Sequence, residues 1–155
     1  MKLPTIYLDM DGTIADLYSI PNWLPMLEEE DSTPYRRARP LLDQAKIEYL
    51  QSYIAAGGSV GIITWLSKGG SRSYNKRVRA AKIGWLKRNL PLPYATVHIV
   101  KYGTSKGKYG EDGDILLDDE AQNLLDYRAD GKRMAFHPNN FWGMAKYINE
   151  KYFNK

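Results

Sequence analysis

Short, continuously apolar runs alternate with helix-like segments along this chain, and this alternation limits its possible folds more than any other feature. Five of the runs predict strands: "TIYLD" (5–9), "SVGIIT" (59–64), "ATVHIV" (95–100), "DILLD" (114–118) and "RMAFH" (133–137). Apolar strands separated by helices are typical of a parallel sheet that is covered on both faces. The sequence therefore predicts an α/β, Rossmann-like fold with a mainly parallel central sheet of about five strands.

Helical patterns fill the intervals between these runs. The first predicted helix begins at Pro40 and ends at the glycines 57 and 58. Three further helices are predicted, one over 73–89, one between 118 and 133, and one over 141–153. The segment 16–39 does not fit the alternation, because it holds three prolines, an acidic run and several aromatic residues. It is too long for a simple turn and too short for an independent domain. We therefore predict a single domain over residues 1–155, with 16–39 as a small cap inserted after the first strand.

The composition limits the kinds of site and partner. The chain has no cysteine, so a metal site would have to use oxygen or histidine ligands. No apolar run approaches the ~20 residues of a membrane span. The first apolar run is short and meets Asp9, unlike a secretory signal. We expect a cytoplasmic protein without a membrane partner.

Charge is distributed unevenly along the chain. Residues 49–110 contain eleven Lys and Arg and no Asp or Glu, and the rest of the chain contains all eighteen acidic residues. Such a separation suggests an anionic ligand held between a basic segment and acidic, metal-binding segments. The alternative is that most of these basic side chains only solvate one face of a helix.

Polar side chains follow three of the predicted strands at the point where each strand ends. Asp9, Thr64 and the pair Asp118-Asp119 occupy these positions. Ligands of parallel sheets bind at the carboxyl ends of the strands. Two carboxylates that meet there repel each other unless a cation or a proton compensates, and the hard ion Mg²⁺ suits oxygen ligands. We expect Asp9 and Asp118 to contribute ligands to a magnesium site.

These residues match the motifs of a known superfamily in order along the chain. "DMDGT" resembles the first motif of the haloacid dehalogenase (HAD) superfamily of Mg²⁺-dependent phosphohydrolases, and "DILLDD" resembles its fourth. Thr64 after "VGII" and Lys106 in "YGTSKGK" resemble the second and third motifs. The resemblance implies a HAD fold with Asp9 as nucleophile and metal ligand. It also implies that Asp118 is a metal ligand and that Asp119 supports it.

The resemblance implies separate tasks for the other motif residues. Asp11 would be the general acid and base, and its backbone carbonyl would bind the metal. Thr64 and Lys106 would bind the phosphoryl group. An acid at position 11 is the mark of the phosphatases within the superfamily rather than of its dehalogenases, so the motif implies a phosphatase.

A longer stretch is similar to the 5'(3')-deoxyribonucleotidases and their bacterial and phage relatives. "YNKRVRAAKIGWLKRNLP", followed by "YGTSK" and "DILLDD", carries this similarity. It implies that Lys82 is a second phosphate-binding cation and that the substrate is a deoxyribonucleoside monophosphate. The base would stack on aromatic residues of the cap, for which Tyr18, Trp23 and Tyr35 are the candidates. The chain departs from the family at Trp65, where members often have a serine.

Several alternatives stay open at the level of single residues. Lys108 competes with Lys106 for the phosphate-binding role, because both lie in the same glycine-rich loop. Lys82 could be a surface charge next to the buried positions of its helix. Asp119 could be the N-cap of the helix that follows it.

Two alternative functions also stay open. The first is a polynucleotide end (3'-) phosphatase, in which the basic stretch would bind the nucleic-acid backbone. The second is a non-catalytic phosphoacceptor module, since such modules also combine an acidic cluster with a threonine and a lysine at strand ends. The leading hypothesis is a Mg²⁺-dependent phosphatase that acts on a deoxyribonucleoside monophosphate, and its only expected partner is this small phosphomonoester.

Overall fold

The computed structural model describes residues 1–154 and contains one five-stranded sheet in which neighbouring strands run parallel. The strands, in chain order, are β1 (Thr5–Leu8), β2 (Ala15–Asp16), β3 (Arg39–Pro40), β4 (Ser59–Trp65), β5 (Thr96–Val100), β6 (Ile115–Leu117) and β7 (Met134–Phe136). The spatial order in the main sheet is β5-β4-β1-β6-β7, while β2 and β3 form a separate two-stranded ribbon. The predicted parallel α/β sheet is confirmed, and each of its strands lies within one residue of its predicted ends.

Six α-helices accompany these strands within residues 1–154. They are α1 (Trp23–Glu28), α2 (Thr33–Arg37), α3 (Gln44–Ala55), α4 (Arg72–Asn89), α5 (Ala121–Arg128) and α6 (Phe141–Ile148). A π-helical segment, Asn149–Phe153, continues α6. No helix within residues 1–154 is both long enough and apolar enough to cross a membrane.

The prediction that a helix begins at Pro40 is wrong. Pro40 belongs to β3 and pairs with Ala15. The helix α3 begins at Gln44, because Asp43 caps it and accepts a hydrogen bond from the backbone N–H of Lys46 at 2.9 Å. A proline suits either the first turn of a helix or the edge of a strand, and here the distant pairing partner decided between them.

The two faces of the main sheet are covered by different helices. Ile6 and Leu8 of β1 lie in a buried cluster with Leu50 of α3 and Met144 of α6. Tyr7, whose side chain points to the opposite face, lies in a second cluster that includes residues of α5. This alternation follows the period of two along a strand and leaves β1 buried on both faces.

The segment 16–39, which we call the cap segment, leaves and rejoins the sheet domain at one place. Its two ends are paired in the ribbon, where Asp16 lies opposite Arg39. The helices α1 and α2 lie between these ends. Tyr35 of α2 shares a buried cluster with Val78 of α4, so the cap segment packs against that helix.

The position of β4 inside the sheet, between β5 and β1, leads to a test of the fold. Ile62 is fully buried in β4, whereas Ile83 on α4 is 37% exposed. Replacing a fully buried isoleucine by alanine removes its packing contacts and leaves a cavity, so we expect Ile62→Ala to lower the free energy of unfolding by about 2–5 kcal/mol. Urea-induced unfolding, followed by circular dichroism, measures this difference.

Ile83→Ala is the matched control for this variant. The same side chain is removed from a partly exposed helical position, where alanine is also the better helix former. We expect a much smaller change in the free energy of unfolding. Equal losses in the two variants would contradict the burial of β4 between β5 and β1.

Candidate active site

The sheet order brings together the strand ends that the sequence singled out. β1 lies between β4 and β6, and all three strands run parallel. Asp9, Thr64 and Asp118 therefore lie at the same edge of the sheet, each at or just beyond the end of its strand. The parallel arrangement makes residues that are far apart in sequence neighbours at this edge.

Three carboxylates form an acidic cluster at this edge. Asp9, Asp118 and Asp119 each place one carboxylate oxygen within 4.8 Å of the other two. Asp9 and Asp118 are buried, and Asp119 is partly exposed. Burial, followed by the nearby charge of Asp9, raises the pKa of Asp118 to about 6 and that of Asp119 to about 7. The folded protein thus holds these charges close together in a poorly solvated place.

Lys106 supplies the cation in contact with this cluster. Its Nζ donates to Asp9 Oδ1 at 2.7 Å and to Asp118 Oδ2 at 2.6 Å. Burial lowers the pKa of Lys106, but Asp9 and Asp118 raise it, and the balance is a raised pKa. The competing residue Lys108 is exposed. Of the two loop lysines, the structure therefore places Lys106 at the strand ends.

Lys82 lies on the other side of the same site. It is fully buried on α4. Its Nζ donates to Asp11 Oδ2 at 2.9 Å, to Thr64 Oγ1 at 2.7 Å and to the carbonyl oxygen of Trp65 at 2.6 Å. Burial raises the pKa of Asp11, although the ammonium group of Lys82 opposes this shift. Lys82 is therefore no surface charge, and in this structure its partners are Asp11 and the end of β4.

The turn between Asp9 and Asp11 depends on the glycine that follows it. Gly12 has φ +81°, in the left-handed region that favours glycine. A Cβ atom at this position would lie 2.8 Å from the ring of Tyr18 and closer still to the carboxylate of Asp119. The bend that separates the two aspartates thus requires both the freedom and the small size of glycine.

Two residues of the site were not singled out from the sequence. Thr13 Oγ1 contacts Asp9 Oδ2 at 3.2 Å and accepts a hydrogen bond from the backbone N–H of Asp119 at 3.1 Å. Asn123 on α5 donates from Nδ2 to Asp118 Oδ2 at 3.0 Å and is buried. Thr13 was part of the quoted "DMDGT" motif but had no assigned role. For Asn123 the only available signal was a polar residue within a short helix.

A cavity of about 450 Å³ opens above the acidic cluster. The candidate aromatic residues Tyr18, Trp23 and Tyr35 all line it. Tyr18 and Trp23 pack edge to face with ring centroids 4.9 Å apart, whereas Tyr35 is only 5% exposed. The sheet domain adds further lining residues, among them Trp65, Ser67, Lys68 and Tyr102. Asp9, Asp11 and Lys106 also line the cavity, while Thr64 and Lys82 lie behind its wall.

The donor set suits a hard divalent cation. Among residues 1–154, Asp9, Asp11, Asp118 and Asp119 form ion pairs with two cations, Lys82 and Lys106. When all six groups are ionised, two negative charges remain uncompensated among them. Mg²⁺ carries the opposite charge and prefers carboxylate oxygens. Asp9, Asp118 and Asp119 could therefore hold such an ion.

Comparisons with known proteins give a likeness of fold. No protein-family model matches this sequence, and no curated protein matches it. The chain is similar to a solved chain of the Pnkp1/Rnl/Hen1 complex, with 16% sequence identity and a TM-score of 0.54. The match covers 87% of this chain and 45% of that chain, so this chain spans less than half of its length. At this identity the likeness shows a shared fold.

A second solved structure is D,D-heptose 1.7-bisphosphate phosphatase from B. bronchiseptica, complexed with magnesium and phosphate. Its sequence is 11% identical, the TM-score is 0.48, and the match covers 86% of this chain and 79% of that chain.

The acidic cluster leads to an expected response to Mg²⁺. A cation that binds only the folded state stabilises it by about 2.7 kcal/mol at ~100 times its dissociation constant. We expect Mg²⁺ to raise the melting temperature above its value in EDTA, because the ion would offset the repulsion among Asp9, Asp118 and Asp119. Differential scanning fluorimetry measures this shift.

Two Asp→Asn variants test the location of the ion. Asp118→Asn removes one carboxylate of the cluster and should abolish most of the shift in melting temperature. Asp112→Asn is the matched control, because Asp112 has 74% of its side chain exposed and lies outside the cluster. It should retain the full shift, and an equal response of both variants would place the ion elsewhere.

Proposed function

We propose that this chain is a Mg²⁺-dependent phosphomonoesterase of the HAD superfamily that hydrolyses a deoxyribonucleoside monophosphate through an aspartyl-phosphate intermediate. One observation carries the proposal. Asp9 and Asp11 line the same cavity, but each has its own lysine, since Lys106 contacts Asp9 and Lys82 contacts Asp11. Two carboxylates in different surroundings can perform different tasks in one reaction.

The first step transfers the phosphoryl group to the protein. A carboxylate oxygen of Asp9 attacks phosphorus, and the bond between phosphorus and the ester oxygen breaks. Asp11 enters this step in its protonated form and donates its proton to the departing oxygen. The products of the step are the free alcohol and an aspartyl-phosphate on Asp9.

The second step hydrolyses the aspartyl-phosphate. Asp11, now ionised, accepts a proton from a water molecule while the water oxygen attacks phosphorus. The bond between phosphorus and Asp9 breaks, which restores the Asp9 carboxylate and releases inorganic phosphate. Asp11 is then protonated again, so one residue can act as acid in the first step and as base in the second.

The surrounding groups would stabilise negative charge on the phosphoryl oxygens. Lys106 lines the cavity next to Asp9. Thr64 does not line the cavity, and its hydroxyl accepts a hydrogen bond from Lys82, so it would help to hold this lysine against Asp11 rather than contact the phosphoryl group. Mg²⁺ bound by Asp9, Asp118 and the backbone carbonyl of Asp11, with support from Asp119, would supply further positive charge.

The upper part of the cavity supports a nucleotide as the substrate. Its volume of about 450 Å³ is within the usual range for a site that holds one small molecule. Tyr18 and Trp23 present aromatic surface from the cap segment on one side. A nucleobase can stack on such rings without requiring a particular base.

The mechanism leads to an expected loss of activity in Asp9→Asn. An amide is a poor nucleophile towards phosphorus, so we expect turnover to fall by on the order of 10³-fold or more. Release of inorganic phosphate from 5'- and 3'-deoxyribonucleotides and ribonucleotides, in the presence of Mg²⁺, measures the loss. Activity that survives this substitution, or that is indifferent to EDTA, would refute the proposal.

The exposed Asp112→Asn variant serves as the control and should retain full activity. A phosphoryl group on the peptide that contains Asp9, detected by mass spectrometry after rapid acid quenching, would identify the intermediate. Rapid disappearance of this adduct is expected of a phosphatase. An adduct that forms from acetyl phosphate and persists for hours would instead indicate a phosphoacceptor module.

A further inference from the structure

A second depression lies beside the candidate active site, along the N-terminal half of α4. It is an open groove of about 1070 Å³. Its lining includes four cationic residues, which define what we call the basic groove: Arg72, Lys76, Arg79 and Lys101. Among the residues of 1–154 that line it, none is Asp or Glu. The basic groove therefore concentrates much of the unbalanced charge of the segment 49–110 in one place.

Most of these cations have no partner among residues 1–154. Arg79 donates from Nη2 to the carbonyl oxygen of Ile99 at 2.9 Å. Within the described part of the chain, the side chains of Arg72, Lys76 and Lys101 make neither a hydrogen bond nor an ion pair. Like charges that converge without a partner repel each other, and an anionic ligand would relieve this repulsion.

One carboxylate touches the rim of the groove but is already engaged. Glu30 of the cap segment accepts hydrogen bonds from the backbone N–H and the hydroxyl of Ser71, at 2.8 and 2.9 Å. Ser71 caps the N-terminus of α4. Glu30 therefore holds the cap segment against the start of this helix and leaves the cations further along the groove uncompensated.

The basic groove is adjacent to the active-site cavity. Leu66 lines both depressions. Lys101 lines the groove, and its neighbour Tyr102 lines the cavity. Tyr102 is 43% exposed and packs against Trp65, with ring centroids 4.8 Å apart. Lys68 lies over the ring of Tyr102. Aromatic and cationic side chains thus lie where the two depressions meet.

We propose that the basic groove binds the backbone of a single-stranded polynucleotide whose terminal, phosphorylated nucleotide occupies the active-site cavity. This inference rests on the phosphomonoesterase function proposed above and extends its substrate class from mononucleotides to strand ends. Rows of cations next to exposed aromatic rings are typical of sites that bind single strands, because the cations contact phosphates and the rings stack on bases.

Fluorescence anisotropy tests the binding independently of hydrolysis. The probe is a labelled oligothymidylate of roughly 4 to 16 nucleotides, the usual site size for single strands. It carries a 3'- or a 5'-phosphate, and the protein is the Asp9→Asn variant. Each neutralised phosphate of a single strand contributes about −0.7 to the slope of log K against log salt concentration. Four groove cations therefore give an expected slope of about −3.

Two charge reversals on the same helix locate the binding surface. Lys76 lines the basic groove, and Lys87 is exposed near the other end of α4, outside the groove. In the Asp9→Asn background, Lys76→Glu should weaken binding of the oligothymidylate by roughly tenfold. It should also make the slope of log K against log salt concentration less steep by about 0.7, the contribution of one phosphate contact. Lys87→Glu should leave both unchanged. Equal effects of the two substitutions would overturn the proposal.

Steady-state kinetics in the Asp9-containing protein separates this inference from the proposed function. Lys76→Glu should raise KM for the phosphorylated oligothymidylate and leave the hydrolysis of thymidine monophosphates unchanged. If Lys76→Glu impairs the hydrolysis of both substrates equally, or changes neither, the proposed role of the groove is overturned. No Asp9-dependent hydrolysis of any phosphomonoester would instead refute the phosphatase itself, whatever the anisotropy shows. Binding of polyglutamate as tight as that of the oligothymidylate would assign the groove to an acidic protein.

Discussion

The position of Lys106 between Asp9 and Asp118 is the interaction on which the candidate site depends. Two buried carboxylates from neighbouring strands approach each other because one ammonium group contacts both, at 2.7 and 2.6 Å. Without this cation, burial and mutual repulsion would favour protonation of one carboxylate or separation of the strand ends. A second lysine, Lys82, serves Asp11 in the same way from the opposite side. Lys106 thus contacts two carboxylates and Lys82 contacts one, and the two negative charges that these lysines leave uncompensated suit a divalent ion.

Much of the fold could be predicted from the sequence, because its strands are apolar on both faces and its helices are amphipathic. The one clear error, at Pro40, concerned a residue whose local preferences fit two structures equally well. Its pairing with Ala15 across the cap segment decided the outcome, and no local pattern contains that information. The helices α1 and α2 escaped prediction for a similar reason. They are short, and α2 is held by packing against α4.

The candidate site was predictable to the extent that its residues follow strands. Asp9, Thr64 and Asp118 were found because parallel strands place their ends side by side. The alternatives for the lysines could not be settled from the sequence, since Lys106 and Lys108 share one loop and only one of them turns inward. Asn123 could not be found, because its role depends on how α5 packs next to Asp118. Spacing along the chain therefore located the acids better than the groups that hold them in place.

The paired ends of the cap segment have a consequence for how such a protein can evolve. Because Asp16 and Arg39 lie opposite each other, the chain leaves the sheet domain and returns at nearly the same point. A longer, shorter or differently folded cap can be inserted there without changing the register of any strand in the main sheet. The acidic cluster and the cap residues that line the cavity therefore lie in different segments of the chain. Substrate preference can diverge among descendants of such a chain while the strand-end carboxylates stay where they are.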